Sequence, residues 1–181
     1  MRRAQRVPAI AGVDGCAALL SYRGAARELV ARAKYRNQRA GLRWLATGMA
    51  GLVRDESFDV ITWAPANPSH ARRRGFDHGE LLAKEVGRQL STTAVSLLRR
   101  DRGAPLTGKS AAQRQSGPPL RATAAASLQD ATVLVVDDVI TTGATLAAAA
   151  RALRSIGATR IFAVAAAYTP PPSFAPIKIS A

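Results

Sequence analysis

The stretch Val133–Leu146, VLVVDDVITTGATL, decides the fold and points to the chemistry. Four consecutive apolar residues, Val133 to Val136, suit a strand buried on both faces, the pattern of a parallel strand covered by helices. Asp137 and Asp138 follow at the carboxyl end of that strand, then the turn Thr141-Thr142-Gly143, then an alanine-rich helix opening with Ala144 and Thr145. Ligands of open α/β sheets bind at such strand ends. The first amides of the helix, the positive end of its dipole and the hydroxyls of Thr141, Thr142 and Thr145 suit a phosphate monoester. Carboxylates repel a phosphate, so Asp137 and Asp138 serve another part of the ligand, and as acceptor-only groups they suit vicinal hydroxyls. A phosphate on one side and a diol on the other describe a ribose 5-phosphate. A plain connection between strand and helix needs neither the acids nor the hydroxyls.

Outward from this unit, strands and helices alternate. Leu29, Val30 and Ala33 recur at helical spacing from Ala25 to near Tyr35, with Arg27, Arg32 and Arg36 interleaved. A second helix is expected over Ala40–Arg54, with Trp44, Leu45, Met49 and Leu52 inward. Phe58–Ala64 (FDVITWA) reads as a buried strand that stops at Pro65, and two prolines and a glycine make 65–76 a loop. Asp77 can cap the next helix, with Glu80 in capping-box position and Leu82, Val86 and Leu90 on one face. His78 is expected at an exposed helix start. Ala94–Leu98 reads as a short strand. Residues 99–121 carry no periodicity and read as a flexible loop, a lid over the phosphate site. Leu146, Ala150 and Leu153 mark a helix that Gly157 can end, and Ile161–Ala167 a last strand. Residues 1–21 form an irregular start leading into a short strand or loop, and 169–181 an extended tail. The order predicts one α/β domain over 1–181, with a mostly parallel central sheet flanked by helices.

Composition narrows the class. Hydrophobic residues are 48% of the 181 but aromatics only 5%, so the core should be aliphatic. No run of about 18 apolar residues offers a membrane span, and the Arg-rich start lacks an apolar signal core; a soluble, cytoplasmic protein is expected. Cys16 is the single cysteine, which excludes an intrachain disulfide and a cysteine zinc cluster. The two histidines, His70 and His78, supply no ligand set for a metal cage. The net charge of +14 is uneven: residues 1–44 carry ten Lys or Arg against two acids and 70–121 eleven against four, whereas 122–181 carry four against three. Such a field draws polyanions, whether a pyrophosphate-bearing substrate or nucleic acid.

Val133–Thr145 resembles, without a gap, the phosphoribosyl pyrophosphate (PRPP) signature of the type I phosphoribosyltransferases. Arg74–Ala83 (RGFDHGELLA), with Lys34-Tyr35 upstream and Asp137-Asp138 downstream, is similar to the ComF family, competence-associated proteins with a phosphoribosyltransferase domain. The likeness covers roughly Tyr22 to Thr169. It implies a type I fold with a small N-terminal hood over residues 1–40, and transfer of a phosphoribosyl group from PRPP to an unidentified nucleophile with release of pyrophosphate. Thr141, Thr142, Gly143, Ala144 and Thr145 would hold the 5-phosphate. Pro65, Ala66, Asn67, Arg72, Arg73 and Arg74 would hold pyrophosphate, where guanidinium groups suit phosphate oxygens. Asp137 and Asp138 would take the ribose diol directly or through Mg²⁺, and with Arg74 form the catalytic set. Lys109 and Arg114 would belong to the flexible loop.

The chain also departs from that family. Many members begin with a four-cysteine zinc module, where this chain has only Cys16. The family's long loop tends to hold a glutamine, a Glu-Arg pair and an asparagine, where Leu106, Gln113, Arg114 and Gly117 stand here. Two further readings therefore stay open: a PRPP-binding regulatory or partner module without turnover, and a basic single-stranded-DNA-binding competence protein. Against the second, only nine Phe, Trp and Tyr are available to stack on bases. PRPP, nucleic acid or DNA-uptake proteins, and a second copy in a homodimer are the expected partners.

Overall fold

The computed structural model describes residues 7–33, 39–66, 77–100, 118–123 and 127–170. These form β1 (Gly15–Ser21), α1 (Gly24–Ala33), α2 (Arg39–Leu52), β2 (Val60–Trp63), α3 (His78–Leu90), β3 (Leu98–Arg100), β4 (Leu120–Ala122), β5 (Thr132–Ile140), α4 (Ala144–Arg154) and β6 (Arg160–Tyr168). The main sheet has four strands in the order β1-β6-β5-β2, all parallel, and β3 and β4 pair antiparallel beside it. This is the α/β architecture that the alternating pattern predicts.

Burial on both faces explains the continuous apolar runs. Leu134, Val136, Ile61 and Val164 pack against Val30 of α1, Leu45 and Met49 of α2, and Leu82 and Val86 of α3. On the opposite face Val133, Val135, Ile161 and Ala163 meet Leu146, Ala149, Ala150 and Leu153 of α4, with Leu97 and Leu98 completing that core. Each such side chain contributes about 1.5–3 kcal/mol on leaving water, so β5, buried from Val133 to Val136, is firmly anchored. The alanines of α4 and of Ala163–Ala167 let helix and sheet approach closely.

One irregularity crosses the sheet. Neighbours on a strand ordinarily point to opposite faces. Leu19 and Leu20, however, both join the core under α1–α3, and so do Ala166 and Ala167. Ala18 pairs with Ala165, and Ala165 with Asp137; two residues on, Leu20 pairs with Ala167, and Ala167 with Val139. The step therefore lies in one row, through Leu19, Ala166 and Asp138.

Several expectations are corrected. β5 does not end at Val136 but runs on through both acids to Ile140, because β6 is long enough to pair with it as far as Tyr168. The start expected to lead into a short strand or loop does lead into a strand, which takes the whole of 15–21; small residues in GCAALLS weaken its signal. The strand expected at 94–98 is replaced by a single bridge of Ala94 to Ile61, and β3 starts only at Leu98. Residues 99–100 and 120–121, read as parts of one loop, pair with each other in β3 and β4; residues 101–117 lie outside the described residues. Trp44 points outward, not inward, with 47% of its surface exposed. His78 is buried at 2% exposure rather than exposed, because it falls one turn before Leu82 on the buried side of α3. Gly157 does follow α4, at φ +102, where a Cβ would stand 3.2 Å from the backbone of Leu128 and Gln129. Of the tail, only Thr169 and Pro170 are described. Among the described residues, no helix is long and apolar enough to cross a membrane.

Candidate active site

β5 is paired on both sides only as far as Val136. Trp63, the last residue of β2, pairs with Val136, and the Ala64 amide donates to the Val136 carbonyl at 3.1 Å. Beyond that point β2 has left and β6 alone continues. Asp137 and Asp138 thus stand half-buried on a strand held rigidly along one edge and open along the other. The Asp138 amide donates to Asp137 Oδ1 at 2.8 Å, fixing one carboxylate against the backbone of the other. The charge of Asp137 reaches Cys16 on β1: burial first, and then this charge, push the thiol up to about 11. Cys16 is a protonated, unreactive packing group at neutral pH.

The strand turns into α4 through Thr141 and Thr142, both exposed, and Gly143, which is buried. Gly143 takes φ +76 as the N-terminal cap residue, with no side-chain cap bond. The helix closes its first bond from the Ala147 amide to the Gly143 carbonyl at 2.9 Å, and Thr142 Oγ1 accepts from the Ala144 amide at 3.4 Å. The first amides of any helix lack partners within it. Here they open beside the two acids, so a helix start, of a kind that suits anions, and a carboxylate pair share one strand end.

Residues 7–14 cover this helix start on its outer side. A Cβ on Gly143 would stand 2.9 Å from the Ile10 side chain, and Gly12 lies against Ala150, about two turns along α4. Asp14 anchors the segment by accepting from the Ile161 amide at 2.7 Å and from Arg154 at 2.9 Å. Residues 7–14 therefore form a strap seated on the turn into α4.

On the open side, Pro65 and Ala66 are half-buried just past β2. Asp77 caps α3 by accepting from the Gly79 amide at 2.8 Å, and its other oxygen accepts from the Ala66 amide at 3.0 Å. Glu80 does not complete a capping box; it pairs with Lys84 at 2.7 Å one turn along the helix. Asn67, Arg72, Arg73 and Arg74 lie outside the described residues, as do Lys109 and Arg114.

Arg100, at the end of β3, is the site residue that sequence reasoning missed. Its Nε donates to the Pro65 carbonyl at 2.8 Å. Burial lowers its pKa, while the nearby charges of Asp137 and Asp77 favour its charged form. One guanidinium thus holds the loop after β2 within reach of the Asp137 charge on β5. Arg99-Arg100 opens an aperiodic stretch, so only the β3–β4 pairing, invisible in local pattern, reveals its place. Asp137, Asp138, the 141–145 turn, Pro65 and Ala66 converge at one end of the sheet with Arg100 among them. Within the described residues, no cluster of three or more His, Cys, Asp or Glu could by itself cage a metal ion. Two adjacent carboxylates fit a hard cation that keeps water and takes its other ligands from phosphate oxygens.

Comparison with known proteins agrees with this geometry. A family model described as the phosphoribosyl transferase domain matches residues 77–177, more than half of the chain. No curated protein matches. Among solved structures, the purine phosphoribosyltransferase from Pyrococcus horikoshii Ot3 is similar in fold at 20% identity and a TM-score of 0.50, over 80% of this chain and 76% of that one. The glutamine PRPP amidotransferase from B. subtilis complexed with ADP and GMP aligns at 22% identity and a TM-score of 0.49, over 69% of this chain. The chain spans only 26% of the amidotransferase's length. With a parallel α/β sheet, a strand-acid-turn-helix unit and a family match across α3 to β6, the chain belongs to the phosphoribosyl transferase domain family.

Proposed function

We propose that the protein binds PRPP with Mg²⁺ and transfers the phosphoribosyl group to a nucleophile, releasing pyrophosphate. The observation that carries this reading is the half-buried Asp137-Asp138 pair, standing where β2 leaves the sheet and directly before the helix start at Gly143. The amides opening α4 and the hydroxyls of Thr141, Thr142 and Thr145 receive the 5-phosphate. Asp137 and Asp138 receive the ribose hydroxyls, directly or through metal-bound water. Mg²⁺, when bound there, supplies positive charge to the pyrophosphate oxygens.

In the transfer the bond from ribose C1 to the pyrophosphate oxygen breaks, and its electron pair leaves with pyrophosphate. Positive charge grows on the ring, and the two carboxylates beside it are already in place to stabilise it. Arg100 stands ready to balance the leaving group, with Arg72, Arg73 and Arg74 of the 65–76 loop as further cations. The nucleophile's lone pair then forms the new bond at C1. The strap over Gly143 and the 99–121 segment limit access of water to the site.

The RGFDHGELLA stretch, Lys34-Tyr35 and Asp137-Asp138 support placing the chain in the ComF branch of such proteins, in the cytoplasm, with a role in competence. Calorimetric titration of PRPP with Mg²⁺ into the wild type and an Asp137→Asn, Asp138→Asn variant tests the site, and pyrophosphate release against a panel of bases and amines tests turnover. Binding lost in the variant is the expected result. A wild type that binds no PRPP sinks the reading. Binding without release against any acceptor reduces it to a PRPP-responsive module.

A further inference from the structure

We propose that Asp77 and Arg100 clamp a single peptide unit, Pro65-Ala66, from its two ends, and that Asp77 is thereby a positioning residue for the pyrophosphate half of the ligand. The positioning role rests on the phosphoribosyl-transfer reading above; the clamp rests on hydrogen bonds alone. The peptide joining Pro65 to Ala66 has one carbonyl and one amide. Arg100 Nε donates to the carbonyl at 2.8 Å, and the amide donates to Asp77 Oδ2 at 3.0 Å. One residue earlier, the Ala64 amide donates to the Val136 carbonyl at 3.1 Å. Three successive residues at the exit of β2 are thus held by three different elements: Ala64 by β5, Pro65 by β3 and Ala66 by the cap of α3.

Proline fixes φ of residue 65 at about −65°, so the freedom left in this unit is rotation of the peptide plane, through ψ of Pro65 and φ of Ala66. Such a turn swings carbonyl and amide to opposite sides and breaks both bonds together. Each arm of the clamp stands on packed structure. Leu97 and Leu98 are buried, and the Leu97 amide donates at 3.3 Å to Oγ1 of Thr62, a fully buried residue of β2. The base of β3 is therefore fixed to the strand whose exit Arg100 holds. On the other arm, a Cβ on Gly79 would stand 3.2 Å from Asp77 Oδ1 and 3.3 Å from the Ala64 carbonyl, so the carboxylate sits in close contact with both chain segments.

Capping alone does not account for a carboxylate here. An N-cap needs one acceptor, and Oδ1 fills that role by accepting from the Gly79 amide at 2.8 Å. Asp, Asn and Ser cap helices about equally well. Asn offers one oxygen and Ser one short hydroxyl, whereas a carboxylate carries two acceptor oxygens and serves both amides at once. Its charge has a cost for the ligand, because a carboxylate beside the pyrophosphate side of the site repels it. The same charge favours the charged form of Arg100, which burial opposes, and so supports the other arm of the clamp. Asp77 is explained by the loop it holds rather than by the helix it caps.

A loop peptide held in one orientation before the ligand arrives needs no reordering on binding, and preorganisation of this kind raises affinity. The two grips act on one planar unit and are therefore coupled. Once either is lost the plane can turn, and the other contributes less.

Asp77→Ser keeps a helix cap and removes the grip on Ala66. In the full chain, residue-resolved amide hydrogen exchange reads the clamp, and calorimetric titration of PRPP with Mg²⁺ and of ribose 5-phosphate reads the positioning role. Exchange at the Ala66 amide should be about ten-fold faster than in the wild type, with the Gly79 amide still protected. PRPP binding should weaken about ten-fold while ribose 5-phosphate binding stays the same. Charge alone predicts the opposite sign, because removing a carboxylate from beside an anion strengthens the anion's binding. Combined with Arg100→Met, the double variant should lose less PRPP affinity than the two single losses together. Circular dichroism and a thermal melt check folding, and Asp77→Asn replaces a misfolded serine variant. Unchanged exchange at Ala66 overturns the clamp. PRPP binding that is unchanged or tighter, or ribose 5-phosphate binding that weakens equally, overturns the positioning role. A wild type that binds no PRPP removes the transfer reading and the positioning role with it, and the exchange result then still decides the clamp.

Discussion

Gly143→Ala isolates the link between the N-terminal strap and the turn into α4. The new methyl meets two obstacles. Gly143 sits at φ +76, where an L side chain costs about 1–2 kcal/mol. Its Cβ would also stand 2.9 Å from Ile10, closer than packed carbon atoms come, and overpacking of this kind typically costs about 1–3 kcal/mol. Taking about 3 kcal/mol for the two together, the melting temperature should fall by about 6–12 °C for a domain of this size. Ile10→Ala removes the steric share and leaves the backbone share. Urea unfolding of the wild type, both single variants and the double variant therefore closes a cycle. Its coupling term should be about 1–3 kcal/mol, with Gly143→Ala markedly less harmful when residue 10 is alanine. PRPP titration in parallel should show weakened binding for Gly143→Ala, because the turn aims the first amides of α4. A Gly143→Ala protein as stable as the wild type, or substitutions that simply add, would refute the strap as described.

Arg100→Met, which keeps length and removes charge, should lower pyrophosphate release by about 10²-fold, the usual cost of losing one donor to developing charge. It should cost only about 1 kcal/mol in stability, from the lost bond to the Pro65 carbonyl, and Arg100→Lys should recover part of the activity. Steady-state assay with matched melts checks both, and an unchanged rate with a collapsed melt would make Arg100 a purely structural tie. The Cys16 thiol, raised from 9.0 to about 11 by burial and then by Asp137, binds its proton more tightly when folded. Its contribution to stability is complete below about pH 9 and is lost as pH rises through about 11. Cys16→Ala should therefore flatten the alkaline fall in stability between those values relative to wild type. Identical slopes for the two proteins would count against that pKa.

What the sequence disclosed and what it hid divide along physical lines. The run Val133–Val136 is legible because both faces of β5 are buried, and the helix after Gly143 because α4 buries a periodic stripe. β1 is hidden because Gly15 to Ala18 are small residues with no alternation. Where β5 ends is hidden too, since its length depends on β6, a partner whose pairing local pattern does not carry. Reading Trp44 as inward with Leu45 and Met49 fails because adjacent residues on a helix point about 100° apart, and the core side belongs to Leu45 and Met49. The acids and the Thr-Thr-Gly turn could be named because they are contiguous. Arg100 could not, because it reaches the site only through the β3–β4 pairing and the loop it holds.

The step through Leu19, Ala166 and Asp138 has a consequence for how this molecule can change over evolutionary time. Three strands change facing together in one row, so an insertion or deletion in any one of them would throw it out of step with its neighbours. Both cores would then receive the wrong side chains downstream of the break, and one of the two acids would rotate away from the crevice. Length variation should thus be purged from β1, β5 and β6 and collect in the connections, leaving the distance from the acid pair to the helix start as the least negotiable measure in the chain.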